Sequence, residues 1–165
     1  MILNQFRLLA AYNTQMNRQF YAACAGLGDA ERKQDRGAFF KSIHGTLNHL
    51  LLVDRLWFGG FSDNPVAFGS MDEELYADFE ELRAAREQMD ADIQAWVETL
   101  TPEYLQEPFG ERLRYPRWLT LTHFFNHQTH HRGKLAALLS QCGADYGVTD
   151  IPWVQDIDRP QVPLP

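Results

Sequence analysis

The chain has 165 residues, 45 % of them hydrophobic and 22 % charged, with a formal net charge of −7. That is the size and composition of one globular domain with a real core, and it excludes a disordered or collagen-like chain. The acid excess repels phosphate backbones and anionic lipid, the Lys and Arg residues form no basic run, and no apolar run nears the ~18–20 residues that span a bilayer, so neither nucleic acid nor membrane is an expected partner.

The first segment, from about Leu3 to Ala25, reads as a helix. Ile2, Phe6, Leu9, Met16 and Phe20 recur at helical spacings, and Asn13 interrupts the stripe at a core position. Gly26, Gly28 and Asp29 end it; they are no dinucleotide fingerprint, because Glu31 stands at the third glycine position and no strand precedes. The second helix is expected from about Gly37 to Phe58. Phe40, Ile43, Leu47, Leu50 and Trp57 form one stripe with Asp54 on the same face, and Thr46, His49, Val53 and Leu56 form a second beside it, so a wide arc is buried. Gly59 and Gly60 are read as its stop, and residues 61–70 as a loop.

Ser70, with Glu73 three positions on, has the pattern of a capping box and predicts a third helix from about Asp72 to Leu100. Leu75, Phe79, Leu82, Met89, Ile93, Trp96 and Leu100 carry its apolar face; the rest is charged and reads as solvated. Thr101-Pro102 breaks it, and a small non-helical excursion is expected at Glu107–Pro116. The fourth helix runs from about Arg117 to Gln141 and ends at Gly143. No strand pattern of weight and no repeat is present. The expected architecture is all-α, an antiparallel four-helix bundle over residues 1–143 with an extended tail over 144–165, packed in part through Trp153.

Cys24 and Cys142 form no Cys-x-x-Cys pair and no haem-attachment motif; both lie among apolar neighbours and read as small core residues. The N-terminus lacks a signal-peptide pattern, and the expected location is cytoplasmic.

Four of the six histidines fall between His123 and His131. At roughly 100° per residue, Phe124, Leu135, Leu138 and Cys142 lie within about 40° of His131, and His127 lies about 40° to one side. His127 and His131 are thus an i,i+4 pair set into the apolar face, a spacing at which two imidazoles converge on one metal ion in helical zinc sites. His123 and His130 fall nearer the edge, about 80° and 100° away, and His130 and Arg132 read as exposed. A third ligand must come from elsewhere: His49 is the natural candidate beside Val53 and Leu56, and His44, on the opposite flank of that helix, is the other. The bland alternative is a set of hydrogen-bonded core histidines, but burying several imidazoles without purpose is costly. A carboxylate-bridged di-iron bundle is excluded, because no Glu-x-x-His occurs. So is a zincin, which needs His-Glu-x-x-His. A bis-histidine haem stays compatible with a bundle.

The segments Ser42-Ile-His-Gly-Thr-Leu-Asn-His49-Leu-Leu-Leu-Val-Asp54-Arg-Leu-Trp57 and His123-Phe-Phe-Asn-His127-Gln-Thr-His130-His131-Arg-Gly133-Lys resemble the second- and fourth-helix signatures of the DinB/YfiT-like metalloenzymes. This is the damage-inducible family, not the lesion-bypass polymerase that shares its name. Tyr12-Asn13 and Asn17 resemble the weaker first-helix pattern, and the likeness covers Tyr12 to Asp145. Lys134 stands where many relatives have Gln. The resemblance implies a four-helix bundle with one divalent metal on His49, His127 and His131, and a homodimer, to which the two apolar stripes of the second helix and the aromatic content also point; some relatives are thiol-dependent transferases or isomerases.

Three neutral imidazoles leave an ion with open positions for water, a thiol or a small substrate. Zinc or nickel is expected first, with iron or copper as alternatives. Asp54, Asn13, Asn17 and His123 are candidates for orienting the imidazoles or touching substrate. Two functions follow as expectations: a metal-dependent transferase or hydrolase acting on a small molecule, or a non-catalytic metal-binding dimer with a role in stress response.

Overall fold

The computed structural model describes residues 1–110 and 114–154. Helix α1 spans Ile2–Ala25 and turns Phe6, Ala10, Met16 and Phe20 inward, as its periodicity requires. A short helix, α2 (Asp29–Lys33), follows where the sequence reads only a helix end. Helix α3 spans Ile43–Phe61, α4 Phe79–Val97, and the short α5 Pro102–Gln106. Strands β1 (Pro108–Phe109) and β2 (Tyr115–Pro116) pair antiparallel, with Phe109 opposite Tyr115. Helix α6 spans Arg117–Gln141, and Gly143 follows at φ +70°, the left-handed turn that ends it.

Among the described residues the four long helices form the bundle, and side-chain contacts fix their directions. Arg7 meets Glu98 and Tyr21 meets Phe79, so α1 and α4 are antiparallel. Phe61 meets Phe124 and His49 meets His131, so α3 and α6 are antiparallel. Phe6 lies on Phe125 and Arg132 reaches Asn13, so α1 and α6 run the same way. Asp54 pairs with Arg86 and Phe61 with Trp96, so α3 and α4 also run the same way. The bundle is antiparallel within its pairs α1/α4 and α3/α6. Joining two parallel helices obliges residues 62–78 to travel back along α3, about 28 Å at 1.5 Å per residue.

Two helix starts differ from the sequence expectation. Periodicity places the second helix from Gly37, but α3 begins at Ile43. Gly37 (φ +69°) and Lys41 (φ +63°) take the left-handed conformation, Lys41 N–H bonds the Ala38 carbonyl at 2.8 Å, and Ser42 caps the helix by accepting from Gly45 N–H at 3.0 Å. Phe40 is therefore in a turn, not on a helical stripe. Likewise α4 begins at Phe79, capped by Asp78, which accepts from Glu81 N–H at 2.9 Å. Ser70 and Glu73 are no capping box: the Ser70 hydroxyl donates to Asp72, and Glu73 accepts from Gly69 N–H. The crossover between parallel helices claims these residues.

Gly59 and Gly60 do not stop α3 either. A Cβ at Gly59 would stand 2.6 Å from the Asn64 carbonyl oxygen, and one at Gly60 2.8 Å from Phe109 Cζ, so the pair admits close approach of the following loop and of the β1 aromatic. The third helix ends at Val97 rather than Leu100, though Leu100 remains buried. The strand pair falls inside the excursion expected at 107–116, whose residues 111–113 lie outside the described residues.

Beyond α6 the described tail is irregular apart from one 3-10 turn, Ile151–Trp153. Tyr12 donates to the Thr149 carbonyl at 2.6 Å, Gln19 donates to the Tyr146 and Val148 carbonyls, and Tyr146 stacks on Phe20. Val154, 1 % exposed, is buried at the end of the described tail, whereas Trp153, the expected point of packing, is 69 % exposed. The end of the expected tail, 155–165, lies outside the described residues. Cys24 is a core residue, its thiol pushed up to about 12 by burial, whereas Cys142 is only half-buried. Among the described residues, no helix is long and apolar enough to cross a membrane.

Candidate metal centre

Helix α6 turns His127 and His131 onto one side through their i,i+4 spacing, and their ring centroids lie 4.3 Å apart. Antiparallel α3 brings His49 against both, 5.5 Å from His127 and 4.6 Å from His131 by the same measure. Each of the three offers a ring nitrogen within 4.8 Å of the others, an arrangement that could hold one metal ion. His44, the alternative third ligand, does not join them. It is buried on the other flank of α3, with Nε2 2.8 Å from the Tyr76 carbonyl oxygen and 3.3 Å from Glu74.

The His49 ring is held from two directions. Its Nδ1 lies 2.8 Å from the Met71 carbonyl oxygen; a carbonyl only accepts, so Nδ1 carries the proton and Nε2 keeps its lone pair. Phe40 lies flat on the other side, 3.7 Å between centroids and 19° between planes.

The electrostatics suit a cation ligand set. Burial lowers the His49 pKa; burial, reinforced by the neighbouring imidazoles, pushes His127 down to about 4 and His131 down to about 3. The rings are thus neutral at physiological pH, the form that binds metal. The Nδ1 atoms of His127 and His131 are buried and have no hydrogen-bond partner among the described residues. Orphaned polar atoms are rare in folded proteins, and here two of them sit within a three-imidazole cluster. The residues present fit a divalent ion.

The remaining candidates lie elsewhere. His123 and His130 are exposed; His123 sits edge-on to Trp57 at 5.3 Å and reaches His127 only at 6.2 Å. Asp54, Asn13 and Asn17 bond to none of the three imidazoles among the described residues. They belong to a buried polar network that links all four long helices. Arg86 donates to Asp54 at 2.6 Å and pairs with Asp90 at 2.8 Å. Asn17 and Asn13 donate to Asp90 at 2.9 and 3.3 Å. Gln128 donates to Asp54, and Arg132 to Asn13 and Asn17.

Arg132, read from the sequence as exposed, is 4 % exposed, and Arg86 and Asp90, read as part of a solvated face, are 2 % and 3 % exposed. Two arginines and two aspartates leave the network formally neutral. Burial pushes Asp54 up to about 6, raises Asp90, and pushes Arg132 down to about 10. One signal could have found it: each long helix places a polar residue in its apolar stripe, and Arg86 stands in register between Leu82 and Met89. Nothing in the sequence pointed to Met71, which acts through its backbone.

No curated protein matches the chain at a significant level. A DinB-like protein from Bacillus cereus ATCC 10987, known from its crystal structure, is similar in fold, with a TM-score of 0.60 at 17 % identity over 82 % of this chain and 91 % of that one. The DinB family profile matches residues 1–162, nearly the whole sequence, and the helical bundle with its histidine cluster accords with that match: the chain belongs to the DinB family.

Proposed function

We propose that this DinB-family protein binds one divalent metal ion on His49, His127 and His131, and that a small molecule shares the ion in a metal-dependent transfer or hydrolysis. The observation that carries the reading is the convergence of three neutral ring nitrogens within 4.8 Å, two of the rings having an orphaned buried Nδ1. Three imidazoles are one ligand short of a closed tetrahedral site, the arrangement of catalytic rather than structural zinc. Zinc and nickel suit an all-imidazole set, as do iron and copper.

An ion held there would polarise a carbonyl or lower the pKa of a bound water or thiol. The protein's own contribution is orientation. The Met71 carbonyl selects the His49 tautomer, and α6 sets the spacing of His127 and His131. Burial keeps all three rings unprotonated. The thiol as cosubstrate is argued from the family resemblance and from the softness of a thiolate toward these metals. Elemental analysis of the purified protein tests the metal, and titration of the cobalt form with low-molecular-weight thiols tests the cosubstrate. A protein that takes up no metal at these residues overturns the proposal.

We also propose a homodimer, on the family resemblance alone. The two apolar stripes of α3 add little to it: Ile43, Leu47, Leu50 and Val53 are buried within one chain, and Leu56 and Trp57 are half-buried.

A further inference from the structure

Two irregular segments meet at His49: the crossover, read from the sequence as a loop up to Ser70 and as helix from Asp72, and the turn before α3, read as helix throughout. The crossover 62–78 supplies the Met71 carbonyl, and the turn before α3 supplies the Phe40 ring. A hydrogen bond to one ring nitrogen leaves the imidazole free to pivot about that bond. A ring stacked face to face on it removes the pivot. Phe40 also lies 5.6 Å from His131, so it covers two of the three imidazoles at once.

The turn is built to hold this ring down. Lys41 occupies the left-handed region at φ +63°, which a residue with a Cβ adopts only where its surroundings impose it. Arg36 N–H bonds the Lys41 carbonyl at 2.8 Å and Ser42 N–H the Phe40 carbonyl at 2.7 Å. A Cβ at Gly45 would stand 2.3 Å from the Phe40 carbonyl oxygen, so the turn sits this close only because Gly45 has no side chain. Its two aromatics are treated differently: Phe39 is 82 % exposed, and Phe40 is 8 % exposed against His49.

We infer that Phe40 is a positioning residue for the candidate metal centre, its ring stacked on His49 to hold the imidazole plane that the Met71 carbonyl alone leaves free to pivot. The inference rests on the proposed metal site, but its first consequence is visible without metal. In Phe40→Leu, carbon-13 relaxation of the histidine rings in apoprotein should show added motion of the His49 ring, while Phe40→Tyr keeps it as rigid as in wild type and the Met71 carbonyl holds the Nδ1–H tautomer in both. With cobalt, Phe40→Leu should bind about tenfold more weakly and show shifted visible bands, as expected when an outer contact to a ligand is removed. Phe40→Tyr and the exposed control Phe39→Leu should stay within about twofold of wild type on the same scale. Gly45→Ala, which must displace the turn, should reproduce the Phe40→Leu spectra without touching any ring.

An unchanged mobility of the His49 ring and unchanged cobalt affinity in Phe40→Leu overturn the inference. So does a loss of affinity shared equally by Phe39→Leu, which would report general loosening of the turn. A wild-type protein that takes up no cobalt sinks the metal reading, and the apoprotein spectra still decide whether Phe40 positions His49.

Discussion

His49 donates from Nδ1 to the Met71 carbonyl oxygen across 2.8 Å, and Met71 belongs to the connection that carries the chain from the end of α3 back to its beginning. The crossover passes the candidate centre because α3 and α4 run parallel. A backbone acceptor sets the tautomer of one imidazole, while the other two have no partner at Nδ1 among the described residues.

From the convergence of the three rings, His49→Ala, His127→Ala and His131→Ala should each lower bound metal at least tenfold, on the order expected for loss of one of three ligands. His130→Ala should leave metal content unchanged. His123→Ala should do nearly the same, since its ring is exposed and touches His127 only at 6.2 Å. Elemental analysis of the five purified variants checks this, and equal content across them would show the assignment to be wrong.

Acid should destabilise the apoprotein through the same histidines. His127 and His131 titrate at about 4 and about 3 when folded, against an ordinary 6.5. Between these values the unfolded chain binds more protons, so stability is fully present above about pH 6.5 and is lost as pH falls through the folded values. Asp54, pushed up to about 6, works in the opposite sense over its own interval. Subtracting the melting temperatures of a His127→Gln/His131→Gln variant from those of wild type between pH 7 and 4.5, in chelator, isolates the histidines. A difference independent of pH would contradict the buried, neutral rings.

Arg86 is the arginine that bridges Asp54 and Asp90 in the buried network. Its replacement by Ala leaves Asp54 and Asp90 buried without their shared guanidinium, which should cost about 3–5 kcal/mol. Arg83, which is 39 % exposed and pairs with the surface residues Glu80 and Glu87, should cost under about 0.5 kcal/mol when replaced by Ala. Denaturant unfolding of the two variants makes the comparison, and similar losses would mean the network contributes nothing specific.

A thiol that shares the ion should bind as thiolate, since coordination to a divalent cation favours the deprotonated form. Cobalt-loaded protein titrated with a cysteine-type thiol is expected to gain a charge-transfer absorption that His127→Ala lacks. Light scattering on the same preparations should give twice the monomer mass at micromolar concentrations. An unperturbed spectrum removes the thiol cosubstrate, and a monomer mass removes the dimer.

The sequence by itself determined α1 and α6 to within a residue or so, the i,i+4 pairing of His127 and His131, and the family to which the chain belongs. These are local properties: helical spacing decides which side chains share a face, whatever the helix later packs against. Tertiary structure decided the rest. Periodicity shows that a face is buried but not which helix covers it or in which direction that helix runs, so the parallel course of α3 and α4, and the crossover it forces past His49, could not be read from stripes. The starts of α3 and α4 moved for the same reason: Phe40 and residues 72–78 read as helix, yet contacts of Phe40 and Met71 with His49 and of Tyr76 with Asn48 hold the backbone out of the helix. Asn13 and Asp54 were visible as polar breaks in apolar stripes, but their partners Arg86, Asp90, Gln128 and Arg132 come from two other helices. A buried charge is tolerable only when paired and hydrogen-bonded, and that pairing exists only once the four helices are assembled.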